Sequence, residues 1–219
     1  VIDRESCLKF KSRKDGKDVC GICAKMCPTG AINYEQEDEL FVEKYGAIVM
    51  ATGYEQFDHS VYGEYGYGKY KDVISGLHFE RLVNASGPTQ GHIVRPSDHK
   101  EPKTVVMVKC VGSRDPEHGK SYCSRTCCMY TAKQATMIRD HCPDTKVYVF
   151  YMDVRTPGKL YDEFYNRTRE EYGVDYIRGR VSKIYKEGEQ LIVKGEDTHC
   201  NNFYLFNIFD SNIIYQYVC

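Results

Sequence analysis

Cysteines are the residues of this sequence whose type and spacing could do chemistry. The chain has 11 cysteines among 219 residues, and most of them fall into two groups. A cysteine-rich chain in a reducing compartment points to metal or redox chemistry rather than to a disulfide scaffold. The first group is Cys7, Cys20, Cys23 and Cys27, and the second is Cys110, Cys123, Cys127 and Cys128.

The first group has the spacing of a bacterial-type ferredoxin, C-x2-C-x2-C-x3-C-P. Cys20, Cys23 and Cys27 form C-x2-C-x3-C before Pro28, but position 17 is a lysine, so we take Cys7 as the substitute for the first cysteine. Two arrangements stay open. Either all four cysteines close one 4Fe-4S cluster, or Cys7, Cys20 and Cys23 share a cluster with an outside ligand while Cys27 serves another. A zinc site is the alternative, but zinc ribbons usually carry two C-x2-C knuckles.

The second group lies where an α/β sheet binds ligands, at the carboxyl ends of its strands. Cys110 follows a continuous apolar strand predicted at 104–108, and Cys123, Cys127 and Cys128 open a helix predicted at 123–141, whose N-terminus favours thiolates. A dinucleotide site would carry G-x-G-x-x-G at this turn, but the sequence is CVGSRD. We therefore predict a metal site in place of a nucleotide site; buried, inert cysteines are the alternative.

Alternating strands and helices position the second group. The order strand–helix–strand–helix–strand is half of a doubly wound dinucleotide-binding domain, so the predicted class is α/β. The stretch 199–219 shows no clear period and receives no fold. Besides the strand and helix already named, the predicted elements are strands at 47–50, 146–152, 175–177, 181–185 and 191–193, and helices at 77–85 and 160–172.

Composition and charge narrow the classes of partner. The formal net charge is -1, with 42% hydrophobic and 28% charged residues, as in ordinary globular proteins. This balance gives no reason to expect nucleic acid or a membrane surface as a partner. The first ten residues lack the apolar core of a signal peptide, so we expect a cytoplasmic protein without direct membrane insertion. The sequence begins at Val1 rather than at a methionine, which suggests a piece of a longer protein.

Five stretches of the sequence resemble HdrA, the iron–sulfur flavoprotein component of heterodisulfide reductases, in one order across residues 1–198. The resemblance implies a thioredoxin-reductase-like doubly wound (Rossmann-like) flavoprotein that binds FAD, with part of an inserted bacterial-type ferredoxin domain and an extra 4Fe-4S cluster. It also implies flavin-based electron bifurcation between ferredoxin and a heterodisulfide-reducing partner. The stretches are CGICAKMCPTGAI (20–32), GAIVMATGYEQFD (46–58), GPTQGHIVRPSDHKEPK (87–103), KCVGSRDPEHGKSYCSRTCCMYTAKQA (109–135) and VYVFYMDVRTPGK (147–159).

The resemblance also assigns residues. It places the extra 4Fe-4S cluster on the second cysteine group and the inserted ferredoxin domain on the first. Ala51, Thr52 and Gly53 match an Ala-Thr-Gly segment that lies near FAD in this superfamily. Glu80 and Lys133 are candidates for placing charge near the flavin ring, although most such side chains are simply solvated.

The resemblance divides the chain into four parts. Residues 1–35 are the C-terminal half of the inserted ferredoxin domain, 36–102 are part of the FAD-binding domain, and 103–198 are the Rossmann-like domain with the second group. The family's N-terminal FAD fingerprint, the first half of the inserted domain and the C-terminal ferredoxin domain are missing from the sequence. We interpret 199–219 as a frameshifted or miscalled end, because the strand expected after Asp197 is not evident.

The function predicted from these motifs is that of an electron-relaying iron–sulfur flavoprotein, one component of an oxidoreductase in methanogenesis. Its expected partners are other heterodisulfide reductase subunits, ferredoxin and a donor of the hydrogenase or formate dehydrogenase type, and we expect this stretch alone to be inactive. One alternative is the related component of a quinone-interacting membrane-associated oxidoreductase in sulfate reduction. An alternative of another class is a zinc-stabilised interaction module.

Overall fold

Two β-sheets follow residue 72 in the computed structural model, which describes residues 2–14, 20–188, 190–199, 202–207 and 212–218. The strands are β1 Val73–Ser75, β2 Thr104–Val111, β3 Lys146–Tyr151, β4 Asp175–Arg178, β5 Val181–Glu187, β6 Gln190–Asp197, β7 Asn202–Asn207 and β8 Asn212–Val218. The α-helices are α1 Leu8–Lys14, α2 Ile22–Met26, α3 Gly76–Leu82, α4 Cys127–His141 and α5 Tyr161–Glu170, and two 3-10 helices span His59–Val61 and Gly63–Tyr65.

The chain divides into two units, Val1–Thr52 and Gly53–Cys219. This division differs from the predicted boundaries after residues 35 and 102. Strand β1 and helix α3 lie before residue 103 but belong to the second unit, because β1 is hydrogen-bonded into the same sheet as β2 to β4. The boundary of the fold therefore lies between Thr52 and Gly53.

The first unit carries the short helices α1 and α2. Its predicted strand at 47–50 is wrong: the backbone there has no regular structure, and Ile48 and Val49 are 84% and 89% exposed. A strand needs a neighbouring strand to satisfy its backbone N–H and C=O groups. The described residues of this unit offer none.

The main sheet of the second unit has five parallel strands in the order β1-β8-β2-β3-β4. From β2 the chain proceeds outward through α4, β3, α5 and β4, and it later returns to the other side of β2 with β8. This reversal of strand order is the switch point at which open α/β sheets bind their ligands. The predicted Rossmann-like α/β class is confirmed, and so are the predicted strands at 104–108, 146–152 and 175–177.

The second sheet is antiparallel, in the order β5-β6-β7. Its first two strands confirm the predictions at 181–185 and 191–193. The assignment of no fold to 199–219 is wrong for two stretches, because β7 pairs with β6 and β8 lies between β1 and β2. Both stretches are rich in aromatic or β-branched residues, which favour strands. The frameshift interpretation thus loses one of its two grounds, the missing strand, while the second Thr-Gly segment expected from the resemblance is absent from 199–219.

Helix α4 begins at Cys127, so the predicted start at residue 123 is wrong. The physical reason is Arg125, whose φ is +64°, in the left-handed region. An L-residue in that region cannot continue a right-handed helix. Cys123 consequently lies in the loop before α4. Cys123 and Cys127, although four residues apart, therefore do not share a helix face.

The buried core lies on both faces of β2, as its continuous apolar run predicts. Val105 and Met107 pack with Phe79 of α3 and Ile138 of α4 on one face. Val106 and Val108 pack on the other face with residues of the second sheet such as Val193. Cys110, Cys127 and Cys128 belong to the first of these two core clusters. The second cysteine group is therefore built into the scaffold of the main sheet.

A buried histidine makes the stability of the second unit depend on pH. His59 is 3% exposed and stacks on Tyr67 with ring centroids 4.5 Å apart, and among the described residues its Nε2 has no hydrogen-bond partner. Burial lowers the pKa of His59 below its usual value. The unfolded chain therefore binds more protons, and stability is expected to fall as pH drops below about 6.5, by at most about 1.4 kcal/mol per pH unit.

Urea unfolding of the wild type and of His59→Phe at pH 7.5 and pH 5.5 measures this effect. We expect the variant to lose part of the pH dependence. His141→Phe, at an exposed position on α4, is the control and should keep the wild-type slope. Equal slopes in the wild type and in His59→Phe would contradict the prediction.

Candidate metal centre

The end of β2 is bent so that Cys110 leaves the regular strand. The register of β2 against β8 shifts between Val108 and Val111, and Cys110 has a φ of +60°. Such a bulge changes the direction of side chains and is over-represented near functional sites. A non-glycine residue with this backbone conformation costs about 1–3 kcal/mol. Gly112 continues the turn with a φ of +79°, which glycine adopts without strain.

Three cysteines of the second group come together at this bend. Cys127, the first residue of α4, hydrogen-bonds to both Cys110 and Cys128. All three are buried, with exposed fractions of 5% for Cys110, 1% for Cys127 and 6% for Cys128. Hydrogen bonds between free cysteines therefore connect the end of β2 to the start of α4, at the switch point of the sheet.

The surroundings of these sulfurs favour thiolates. The hydrogen bond with Cys127 lowers the pKa of Cys110 and lowers the pKa of Cys128 to about 5. The positive charge of Lys109 acts in the same direction, as does the backbone N–H of Arg155, which donates to Cys128 Sγ at 3.3 Å. Thiolate ligands held by N–H···S hydrogen bonds are the form in which cysteines bind iron–sulfur clusters.

Cys123 stands apart from the other three. It is half-buried in the loop before α4, and its Sγ accepts the backbone N–H of Arg125 at 3.3 Å. In the part of the chain that is described, no set of three or more Cys, His, Asp or Glu side chains is arranged to hold a metal ion as it stands. A 4Fe-4S cluster is bound by four cysteines and takes up space between them. The three grouped sulfurs, with Cys123 as a fourth cysteine in the loop that leads into α4, suit such a cluster better than a single ion.

Three cysteines of the first group influence the pKa of a tyrosine that the sequence did not single out. Partial burial raises the pKa of Tyr34, and the negative charges of Cys23, Cys7 and Cys20 raise it further. The Tyr34 hydroxyl oxygen also accepts the backbone N–H of Ala24. Three of the four predicted ligands of the first unit are thus neighbours of one hydroxyl group.

Cys27 has a different environment from these three. Its Sγ accepts the backbone N–H of Ala31 at 3.3 Å and lies 3.4 Å from the hydroxyl oxygen of Thr29. The hydrogen bond with Thr29, followed by that with Ala31, lowers the pKa of Cys27. The tight turn after Cys27 therefore stabilises a thiolate that is separate from the Tyr34 group.

The residues predicted to lie near a flavin fall in two places. Ala51, Thr52 and Gly53 are exposed and lie at the division between the two units. Lys133 of α4 and Glu80 of α3 form an ion pair with an Nζ–Oε2 distance of 2.9 Å.

The ion pair is held in place and borders a cavity. Gln134 donates to Glu80 Oε1 at 2.8 Å and to the carbonyl of Gly76 at 3.1 Å, which fixes the carboxylate. On the other side, Lys133 lines a cavity of about 850 Å³ with Tyr130 and Phe164. The cavity is open to solvent, and its aromatic side chains are accompanied by further charged residues, namely Lys159, Arg167, Glu163 and Glu171.

Fold and site together define an α/β protein whose parallel sheet presents cysteines, instead of a glycine-rich turn, at its switch point. Over 200 residues the chain is 48% identical to the A-type iron–sulfur component of the CoB–CoM heterodisulfide reductase of Methanocaldococcus jannaschii, a match that covers 90% of this chain and 29% of that protein. It is 52% identical over 173 residues to one of the two corresponding proteins of Methanopyrus kandleri, a match that covers 77% of this chain and 26% of that protein.

A third relative is the A-type component of the H2:CoB–CoM heterodisulfide,ferredoxin reductase of Methanothermobacter thermautotrophicus. The two sequences are 45% identical over 199 residues, which cover 90% of this chain and 29% of the relative. The chain is therefore homologous to an internal segment of the HdrA proteins of heterodisulfide reductases. The chain spans about 29% of the length of the first and third of these relatives. No family model matches the chain. Within the described residues, every helix is too short or too polar to cross a bilayer.

Proposed function

We propose that this chain is the iron–sulfur segment of an oxidoreductase component that relays electrons to a partner reducing a heterodisulfide. The observation that carries the proposal is the group formed by Cys110, Cys127 and Cys128 at the switch point of the main sheet. A nucleotide-binding domain would use this position for a phosphate. Buried thiolates there suit a metal cofactor instead.

A 4Fe-4S cluster would be held by Cys110, Cys123, Cys127 and Cys128. Bound there, such a cluster would supply one-electron transfer. The protein's own contribution is burial of the ligands, the N–H···S bond from Arg155 to Cys128 and the bend that turns Cys110 toward α4. Burial and hydrogen bonds to sulfur are the means by which proteins adjust the reduction potential of a cluster.

The first unit would contribute ferredoxin-like ligands. These ligands fit two arrangements: all four cysteines hold one 4Fe-4S cluster, or Cys7, Cys20 and Cys23 share a 4Fe-4S cluster while Cys27, whose Sγ accepts the N–H of Ala31, serves another. In the second arrangement the remaining ligands come from parts of the protein outside this sequence. The Tyr34 hydroxyl would then lie beside the ligands of the first cluster.

The same protein would also bind FAD. Ala51, Thr52 and Gly53 would lie near the cofactor, and the Lys133–Glu80 pair would place charge near the flavin ring, where a lysine adjusts its redox behaviour. Lys133 is half-exposed, and its ion pair with Glu80 lies at the protein surface.

The circuit of the whole protein is proposed by analogy with the relatives. The name of one relative includes H2, the CoB–CoM heterodisulfide and ferredoxin. We propose other heterodisulfide reductase subunits, ferredoxin and a hydrogenase or formate dehydrogenase type donor as partners, with flavin-based electron bifurcation as the mode of transfer. The heterodisulfide reductase names of the relatives favour this circuit over the quinone-linked alternative.

Anaerobic iron and acid-labile sulfide analysis with EPR tests the proposal. We compare the reconstituted chain with a Cys127→Ser/Cys128→Ser variant. The double variant is expected to lose about four irons and about four sulfides per chain, together with one EPR signal of the reduced protein.

Cys142→Ala is the matched control. Cys142 is also buried, but burial raises its pKa to about 11, so it is a neutral thiol at the C-terminal end of α4. This variant should keep the iron and sulfide of the wild type. Stoichiometric zinc without sulfide in the wild type would overturn the proposal and leave a zinc-stabilised interaction module as the better account.

A further inference from the structure

A lysine is buried beside the second cysteine group. Lys109 precedes Cys110 on β2 and is only 7% exposed, whereas lysines are almost never buried without a partner. Its Nζ donates to the backbone carbonyl of Asp153 at 3.2 Å and lies 5.6 Å from the ring centroid of Tyr151. Neither of these two groups carries a full negative charge. A carbonyl and an aromatic face hold the ammonium in place without neutralising it.

The anion within reach of this ammonium is a cysteine of the site. Lys109 hydrogen-bonds to the sulfur of Cys128, which also lies 4.0 Å from the same Asp153 carbonyl. The lysine is fixed beside the thiolate by its hydrogen bond to Cys128 and by the Asp153 carbonyl, which both side chains contact. The cation is therefore directed at the metal site and not at solvent.

Asp153 joins this lysine to two arginines. Its carboxylate Oδ1 lies 2.8 Å from Arg114 Nη1 and 3.6 Å from Arg155 Nε. Lys109, Arg114 and Arg155 are thus three cations linked to one residue, Asp153, which supplies a single carboxylate. The excess positive charge suits an anionic group, and a cluster ligated by four thiolates is anionic and becomes more so when it gains an electron.

We infer that Lys109 is a positioning residue that raises the reduction potential of the cluster held by Cys110, Cys123, Cys127 and Cys128. This inference rests on the proposed function. A fixed cation stabilises the more negative, reduced form of the cluster over the oxidised form. Removing that cation lowers the potential.

Lys109 has the largest expected share in this effect among the three cations. The side chains of Arg114 and Arg155 are 28% and 46% exposed and are paired with Asp153, so water and the carboxylate screen them. Lys109 is buried, where the effective dielectric constant is lower and a charge acts more strongly. Substitutions at Lys109 therefore give the clearest measurement.

An EPR-monitored redox titration of the reconstituted chain tests the inference. The signal of the site is identified by its loss in Cys127→Ser/Cys128→Ser. We expect Lys109→Met and Lys109→Gln to lower the ratio of reduced to oxidised cluster about tenfold at a fixed solution potential, which for one electron is a shift of about 59 mV. Lys109→Arg, which keeps the charge, should stay within about twofold of the wild type.

Lys146→Met is the matched control. Lys146 is an exposed lysine at the start of β3, paired with Thr104 at the opposite end of β2 from Cys110. Six residues of strand separate the two ends, a distance of about 20 Å. Loss of this distant charge should leave the potential unchanged.

The outcomes separate the inference from the proposed function. A wild-type chain that contains no iron and no sulfide after reconstitution would overturn the proposed function. A wild-type chain with a cluster whose potential is unchanged in Lys109→Met and Lys109→Gln, or equally shifted in Lys109→Arg, would overturn only the inference. If both neutral variants lose the cluster, Lys109→Arg decides the question. A cluster retained in Lys109→Arg supports the requirement for a positive charge, and a cluster lost in Lys109→Arg overturns the inference.

Discussion

Replacing Ile214 by proline is expected to destabilise the second unit by about 3 kcal/mol or more. Ile214 lies in β8, where its backbone registers with Val106 of β2 on one side and Val73 of β1 on the other. Proline lacks the N–H that the sheet ladder requires and is found only at strand edges or bulges. Urea unfolding followed by circular dichroism measures the loss of stability.

Val49→Pro is the control for this substitution. Val49 is an apolar residue too, but it is 89% exposed in a stretch of the first unit without regular structure. Its replacement should change the unfolding of the second unit by less than about 0.5 kcal/mol. An Ile214→Pro variant as stable as the wild type would mean that β8 does not lie between β1 and β2.

Part of the fold could be predicted from the sequence because β2 and β3 are continuous apolar runs. Strands buried on both faces read in this way, and the helix that follows each of them is closed by a breaker, Pro143 after α4 and Gly173 after α5. The stretch 212–218 has a weaker signature, because it begins with an asparagine and a glutamine interrupts its apolar residues. It becomes a strand only because β1 and β2 offer it two edges, and that information is not local.

The candidate site shows the same limit. The spacing of Cys110, Cys127 and Cys128 predicts a metal site, since unusual cysteine spacing is a local signal. The position of Cys123 cannot be predicted in the same way, because the left-handed backbone of Arg125 leaves no trace in residue types.

The pairings of the charged residues around the site could not be read from the sequence. Lys109 and its carbonyl partner in Asp153 are 44 residues apart, and Arg114 and its carboxylate partner in the same residue are 39 apart. Such contacts exist only once β2 and β3 lie side by side. A lysine directly before a cysteine of the motif was the one available signal for this part of the site.

Gly179→Ala is expected to destabilise the second unit by about 3 kcal/mol or more. A Cβ at Gly179 would overlap the backbone oxygen of Glu196 and lie 2.7 Å from its carbonyl carbon. Both atoms belong to β6, so no side chain can rotate away and the two sheets must separate locally. Overpacking against a side chain costs about 1–3 kcal/mol, and a clash with backbone costs more. Thermal and urea unfolding measure the difference.

Gly63→Ala is the matched control, because a Cβ at Gly63 meets nothing within 4 Å. It should change stability by less than about 0.5 kcal/mol. Gly179 also donates its N–H to the carbonyl of Tyr151 at 2.9 Å, and the ring of Tyr151 faces the ammonium of Lys109. The close approach at Gly179 therefore supports the end of β3 that holds the buried cation. Equal stability of the two variants would show that the second sheet does not pack against Gly179.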